Sequence, residues 1–419
     1  MGKVFAVIAA LVLGVAMAAA LIACMGAPAD AAPGVELSML TQGKKVIPIV
    51  LEYPGLTVTD IKLPDLILTN GSSEPISPLG IEVIGTLKGE EVARFQVRPD
   101  TVKALINGVH PQLKGFGAGE EGRHLLSAAF GRTNLDTGKL SDGLPIKSGE
   151  QGVILLSKVL YFHYVGLTTV DALKVTLSYE STANRESVEL PIPLTEWKSQ
   201  VKYRFPLKGS IIVLNMPLDY LSYHRQSYSQ EFGFDMMEIH PEKSGLDSAS
   251  KPGSSKLTDY YIYGRDVLAA ADGTVVEVAD AFPESKTVSP GTWTLEAQAG
   301  VIKRLSGKIP YSNILLGNYV VIQHGPEEFS FFAHLKQHSF KAKVGQKVKA
   351  GQPIARVSCT GVHCTEPGLH FQLMDSGDFF TANSLPIMFE DIPASRMVQH
   401  LTKANTLACS DNLLVVGVE

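Results

Sequence analysis

The sequence predicts a mainly β protein: an N-terminal β-sandwich of immunoglobulin-like type, then a second β domain. Three observations carry this. Short apolar runs alternate with polar residues, Gly and Pro punctuate them, and helical periodicity is scarce. The chain has 419 residues, enough for two or three domains that each bury a core. Hydrophobic residues are 45% and charged residues 19%, which suits a folded chain rather than a disordered one. The net charge is -5, with no basic run. That argues against a nucleic-acid partner, because phosphate contacts need clustered Lys and Arg.

Residues 1–24 read as a signal peptide or membrane anchor. Lys3 is followed by an almost wholly apolar stretch to Cys24, and the next charge is Asp30. About 20 apolar residues also suffice to span a bilayer. Leu21-Ile22-Ala23-Cys24 resembles a bacterial lipobox, in which Cys24 carries lipid. The small residues at 27–32 offer ordinary cleavage sites instead. Each reading puts the rest of the chain outside the cytoplasm, in the cell envelope (periplasm or outer surface). A lipid or a helix at the N-terminus would then contact the membrane.

Residues 25–45 form an Ala-, Gly- and Pro-rich linker. The N-terminal β domain covers 46–200. Leu173, Val175, Leu177 and Tyr179 alternate with polar residues, as in a half-buried strand. Residues 80–86 and 153–159 are further strands, and Asn70-Gly71 is a turn signal. A short helix is expected at 101–105, followed by a Gly-rich loop. His110, His124 and His163 stand apart, so surface or core roles suit them better than ligation.

The second domain covers 201–394, with strands expected at 210–214, 232–237, 273–278, 318–324 and 329–334. Residues 244–256 and 284–309 read as irregular insertions, and the tail at 395–419 as one helix near 395–407. Cys359, Cys364 and Cys409 follow the leader. An oxidising compartment permits a disulfide. Cys359 and Cys364 flank a short turn, and Cys409 could pair with either. No second pair exists for a zinc ribbon.

Several segments of this domain act jointly. They are 205–209 (FPLKG), 231–235 (EFGFD), 267–273 (VLAAADG), 317–325 (GNYVVIQHG), 332–335 (FAHL), 344–352 (VGQKVKAGQ) and 368–372 (GLHFQ). In order and spacing, over roughly 190 residues, they resemble the lysostaphin/LytM family of zinc metallopeptidases, with a barrel-sandwich fold. The resemblance implies zinc held by an H-x-x-x-D motif and the second His of H-x-H, with two more histidines handling protons. Three protein ligands leave one zinc position for water, whose pKa falls toward ~7.

Carried over by position, Asp235 and His370 are the expected metal ligands and His334 the expected catalytic imidazole. Glu231 stands where the first ligand His is expected, which implies a Glu-Asp-His site. Gly368 stands at the first position of H-x-H and has no side chain to shuttle protons. By analogy with a lost oxyanion donor, this costs about 10²- to 10³-fold in rate. His363, His224 and His240 are nearby in sequence and could fold back; a solvated loop histidine is the bland alternative for each. His324 is expected in structural hydrogen bonds. Tyr260, Tyr261 and Tyr263 could line a peptide groove or simply pack.

The expected function is therefore that of an envelope protein with impaired or absent hydrolysis. It would bind peptidoglycan or its stem peptides, or regulate wall hydrolases through another envelope protein. The alternative is an active zinc endopeptidase cleaving peptidoglycan cross-links. A lipoyl-type carrier is a third reading, but Lys347 and Lys349 lack the Met-Lys or Asp-Lys context of a modified hairpin tip.

Overall fold

The computed structural model describes residues 34–115, 126–127, 130–133, 135–158, 161–215, 222–240, 249–251, 253, 255–286, 295–391 and 414–418. The leader with Cys24, His124, Cys409, the expected tail helix and most of the 244–256 loop lie outside the described residues. The chain divides into two compact units, up to Trp197 and from Lys198. No described helix is long and apolar enough to cross a membrane.

Among the described residues, the N-terminal unit contains three antiparallel sheets. One has the order β1 (Val35–Met39), β4 (Leu66–Asn70), β7 (Gln151–Ile154). A second runs β2 (Ile49–Tyr53), β3 (Leu56–Lys62), β8 (Tyr161–Gly166). The third runs β10 (Arg185–Pro193), β9 (Ala172–Glu180), β5 (Ser77–Leu87), β6 (Glu90–Val97). They share one core, to which Leu37, Ile61, Leu68, Val83 and Leu177 contribute. The alternation in β9 does what its period predicts: Leu173, Val175, Leu177 and Tyr179 are all buried. The β class is as expected, but the strands fall into three sheets rather than the two of an immunoglobulin-like sandwich.

Two local expectations differ. The short helix is longer: α1 covers Pro99–Gly115. Val102, Ile106, His110 and Leu113 are buried at three- and four-residue spacing, so one face packs inward and carries the helix past Pro111. His110 is a core residue; Val153 N–H donates to its Nε2 at 2.7 Å, and its Nδ1 meets Ser141 Oγ at 2.8 Å. Asn70 does not make a two-residue hairpin. Its side chain accepts from Ser72 N at 3.0 Å and donates to Ile146 O at 2.9 Å, tying two segments together.

The C-terminal unit is built on one large antiparallel sheet. Its order is β17 (Lys347–Val348), β14 (Gly273–Ala279), β15 (Tyr319–Gly325), β16 (Glu328–Ala333), β19 (Leu369–Met374), β12 (Phe234–Glu238), β11 (Gly209–Leu214), β21 (Leu414–Val418). β20 (Ser384–Leu385) also pairs with β19, and β13 (Asp266–Leu268) pairs separately with β18 (Pro353–Arg356). The one-turn helix α2 (Tyr223–Gln226) precedes β12. The expected second insertion contains α3 (Leu295–Leu305), and α4 (Tyr311–Leu316) follows. Ile302, Leu305, Ile314 and Leu316 bury their apolar faces beside Val321 and Phe331, which is why this segment is helical rather than irregular.

Register decides where the chemistry sits. Asp235 in β12 lies opposite His370 in β19, and His370 lies opposite Ala333 in β16. His334 follows Ala333 directly. Three neighbouring strands therefore deliver three functional side chains to one place.

Behind them, Gly317 has φ 75° and Gly361 φ 96°. Their backbones approach so closely that a β-carbon on Gly317 would collide with the Thr360 carbonyl. Gly317→Ala should therefore lower unfolding free energy by roughly 2–3 kcal/mol, combining backbone strain with the clash. Urea unfolding measures this; an unchanged midpoint would contradict the packing described.

Candidate metal centre

Three ligand atoms converge at the end of β12. Among the described residues, His224, Asp235 and His370 each offer one atom within 4.8 Å of the others. His370 Nδ1 is 3.0 Å from Asp235 Oδ1, and His224 Nε2 is 3.4 Å from Asp235 Oδ2. A tetrahedral zinc with bonds of ~2.0–2.1 Å needs ligand atoms about 3.4 Å apart. The two rings stand perpendicular, with centroids 4.8 Å apart.

The hydrogen bonds behind the rings decide which nitrogens face the centre. Gln372 Nε2 donates to Ser229 O at 2.8 Å. That turns the amide oxygen toward His370 Nε2, 3.0 Å away, so Nε2 carries the proton and Nδ1 presents its lone pair. His224 Nδ1 donates to Gly233 O at 3.2 Å, which frees Nε2. That atom is buried and has no hydrogen-bond partner. Two lone pairs and a carboxylate thus point at one another, an arrangement of three acceptors that a bound cation satisfies. The donor set of two imidazoles and one carboxylate suits zinc.

Asp235 is held from its other side. Asn215 Nδ2 and Tyr223 Oη both donate to Oδ2, at 2.7 and 2.8 Å. Burial alone would raise the Asp235 carboxyl, but His224 and His370 outweigh it and hold it well below the usual carboxylate range. Burial, then Asp235, raises the Tyr223 hydroxyl, which stays a donor. His224 is lowered to about 4, chiefly by burial.

Glu231 does not join the triangle. It is 2% exposed, and its carboxylate lies 3.4 Å from Nη1 of Arg225, which is fully buried. A guanidinium in that position needs a carboxylate partner, and Glu231 supplies it. The third corner is His224, from α2, eleven residues before Asp235 rather than four. The short helix brings His224 and Arg225 in together, and the two take different neighbours.

His334 stands next to the triangle, its ring centroid 6.2 Å from that of His370. Its φ is 65°, in the left-handed region. It is held there by Leu335 N donating to Asn318 O at 2.9 Å and Ser358 N donating to His334 O at 3.1 Å. Nδ1 donates to Thr360 O at 2.8 Å, leaving Nε2 as a free base. Burial, then the His370 charge, lowers its pKa.

Gly368 continues the fold where H-x-H would carry an imidazole. A β-carbon there would sit 3.3 Å from Met236 O. His240 packs on Tyr261, with centroids 5.7 Å apart, and is not in the triangle. His324 meets Asp272 O at 2.8 Å and Ser330 Oγ at 2.7 Å, in structural hydrogen bonds as expected. Tyr260 donates to Glu366 at 3.3 Å and Tyr263 to Glu284 at 3.1 Å. Cys359 and Cys364 form a disulfide. Asn215, Tyr223 and Gln372 carried no sequence signal of their own; only His224 did, as a histidine near the Asp235 strand.

The metal-free chain should lose stability as pH falls. His224 has a folded pKa lowered to about 4 from an ordinary 6.5. Between those values the unfolded chain binds the extra proton, so stability is full above about 6.5 and declines toward about 4. Urea midpoints in the metal-free chain, compared with His224→Gln, test this. Identical pH slopes across that window would contradict it.

Residues 287–381 match the family described as Peptidase family M23. The match includes His334 and His370 but begins after His224 and Asp235. Peptidoglycan DD-endopeptidase ShyA of Vibrio cholerae serotype O1 is 38% identical over 92 residues, 22% of this chain and 21% of that protein. The matched region thus spans about a fifth of that relative. Among solved structures, the lysostaphin catalytic domain from Staphylococcus simulans has 20% identity and TM-score 0.22, covering 44% of this chain and 88% of its own. Csd3 of Helicobacter pylori has 13% identity and TM-score 0.24, covering 88% of this chain and 80% of its own. On the family match, the C-terminal unit of this chain carries a peptidase M23 domain over residues 287–381.

Proposed function

We propose that the C-terminal domain is a zinc-dependent endopeptidase that cleaves peptide cross-links of peptidoglycan in the cell envelope. The observation that carries this is the buried, partnerless Nε2 of His224, aimed at Asp235 beside the Nδ1 of His370. The ligand set is His224, Asp235 and His370, in place of the Glu-Asp-His set. The substrate class is supported by the likeness to an enzyme whose name states that it is a peptidoglycan DD-endopeptidase. The exported leader expected at residues 1–24 agrees with an envelope location.

Zinc, when bound, supplies a Lewis acid and a water acidic enough to be deprotonated near neutral pH. The chain's residues do the rest. Gly233 O and Gln372 hold the two ligand imidazoles in the binding tautomer. Asn215 and Tyr223 occupy Asp235 Oδ2 and leave Oδ1 for the metal. His334, with Nδ1 tied to Thr360, offers Nε2 to take a proton from the attacking water.

One observation favours a second reading: position 368 is glycine. A domain that binds stem peptides and regulates another wall hydrolase, without turnover, would retain the fold and lose the rate.

The purified chain should contain close to one zinc, lost in His224→Ala and Asp235→Ala but retained in Glu231→Gln. Gln372→Ala should weaken zinc affinity by about 10- to 100-fold. Digestion of purified peptidoglycan should be abolished by chelation and restored by zinc. A folded chain that takes up no zinc would overturn the proposal; zinc without digestion would favour the regulatory reading.

A further inference from the structure

The His334 ring is fixed by a carbonyl, and a carbonyl fixes a ring only as well as it is itself held. That carbonyl is Thr360 O, 2.8 Å from His334 Nδ1. It belongs to a loop closed by the Cys359–Cys364 disulfide, with Cα atoms 5.4 Å apart. The loop rests on the residues before β15. Val362 N donates to Ile314 O at 2.9 Å, and a β-carbon on Gly361 would come within 2.7 Å of Gly317 N.

Thr360 adds a second attachment through its side chain. The residue is fully buried, and its hydroxyl has one proton to give and lone pairs to receive with. Oγ1 donates to Leu335 O at 3.0 Å and accepts from Asn318 N at 3.0 Å. Those two residues are themselves joined, Leu335 N donating to Asn318 O at 2.9 Å. Asn318 is clamped in turn: its side chain accepts from Phe282 N at 2.8 Å and donates to Phe282 O at 2.9 Å. Leu335 directly follows His334. The hydroxyl of Thr360 therefore holds the backbone that carries His334, while the carbonyl of the same residue holds its ring. The bonds close a circuit: from the ring to Thr360 O, through the threonine to Oγ1, to Leu335 and back to His334.

We propose that Thr360 is a positioning residue for His334, its hydroxyl holding the carbonyl that keeps the imidazole proton on Nδ1 and leaves the Nε2 lone pair free. This rests on the hydrolytic reading above, in which His334 Nε2 takes a proton from the attacking water. The hydroxyl acts through the ring, by fixing its tautomer and its angle. Without the hydroxyl the circuit opens. Leu335 O then retains Asn318 Nδ2 at 3.4 Å, a longer contact, and Asn318 N loses this acceptor. Valine has the shape of threonine without the bonds. Serine has the bonds, but lacks the branched β-carbon that restricts χ1 and keeps the hydroxyl aimed.

The test uses the full chain with Thr360→Val, Thr360→Ser and, if valine prevents folding, the smaller Thr360→Ala. Nitrogen NMR of the histidine rings in the metal-free chain at neutral pH reads the tautomer. His334 should be the Nδ1–H form in the unaltered chain and in Thr360→Ser, and a mixture with the Nε2–H form in Thr360→Val. The zinc-loaded variants are then given a cross-linked stem-peptide dimer. Thr360→Val should keep its zinc, lose about 10²-fold in kcat and change KM less than ~threefold. Thr360→Ser should recover most of the rate. A folded hydroxyl-free variant that keeps the Nδ1–H tautomer overturns the proposal, and so does one that keeps its kcat. Loss of folding in both hydroxyl-free variants, with Thr360→Ser intact, also overturns it, because the hydroxyl is then a requirement of the fold. If the zinc-loaded unaltered chain cleaves nothing, the hydrolytic reading falls, and the ring measurement still decides the positioning.

Discussion

The site depends on two hydrogen bonds that point away from it. His224 gives its Nδ1 proton to Gly233 O, and His370 gives its Nε2 proton to Gln372. Each bond fixes a tautomer, and each tautomer sends a lone pair toward Asp235. With the protons committed elsewhere, the buried His224 Nε2 is left with no hydrogen-bond partner among the described residues. That frustration is stored by the fold: the β12–β19 register fixes Asp235 against His370, and the one-turn helix α2 fixes His224. A cation bound there would relieve it, and its binding would couple to domain stability.

Much of this architecture was legible in the sequence because it is periodic. Strand alternation gave the β class, and the segments around Asp235, His334 and His370 predicted that these residues belong to one domain. The strand register then puts them together, since 235, 370 and 333 are direct cross-strand partners. What stayed hidden was not periodic. The third corner comes from a four-residue helix, outside any strand pattern, and its spacing from Asp235 matches no motif. Glu231 sits at the expected spacing, but proximity in sequence lost to electrostatics: the buried guanidinium of Arg225 holds its carboxylate. The orienting groups, Asn215, Tyr223 and Gln372, act through contacts that no spacing encodes. The same limit applied to α1 and α3, whose apolar spacing is readable only once the face they bury is known.

The departures from the family's motif are of two kinds. At 231 the imidazole is supplied from eleven residues before Asp235, and the carboxylate is given a structural partner. At 368 the sheet runs on with a glycine close to Met236 O. The first keeps an imidazole beside Asp235 from another position; the second supplies no side chain. A left-handed His334 is tied at its carbonyl, at Nδ1 and through Leu335, and strain of that kind persists only where surroundings impose it.

The central claim is the identity of the third metal ligand. Zinc-edge X-ray absorption on the zinc-loaded chain separates the two sets directly, because imidazole rings give multiple-scattering features that carboxylates lack. The account predicts two imidazoles and one carboxylate, the same set in Glu231→Gln, and no zinc taken up by His224→Ala. One imidazole with two carboxylates, unchanged in His224→Ala, would contradict it.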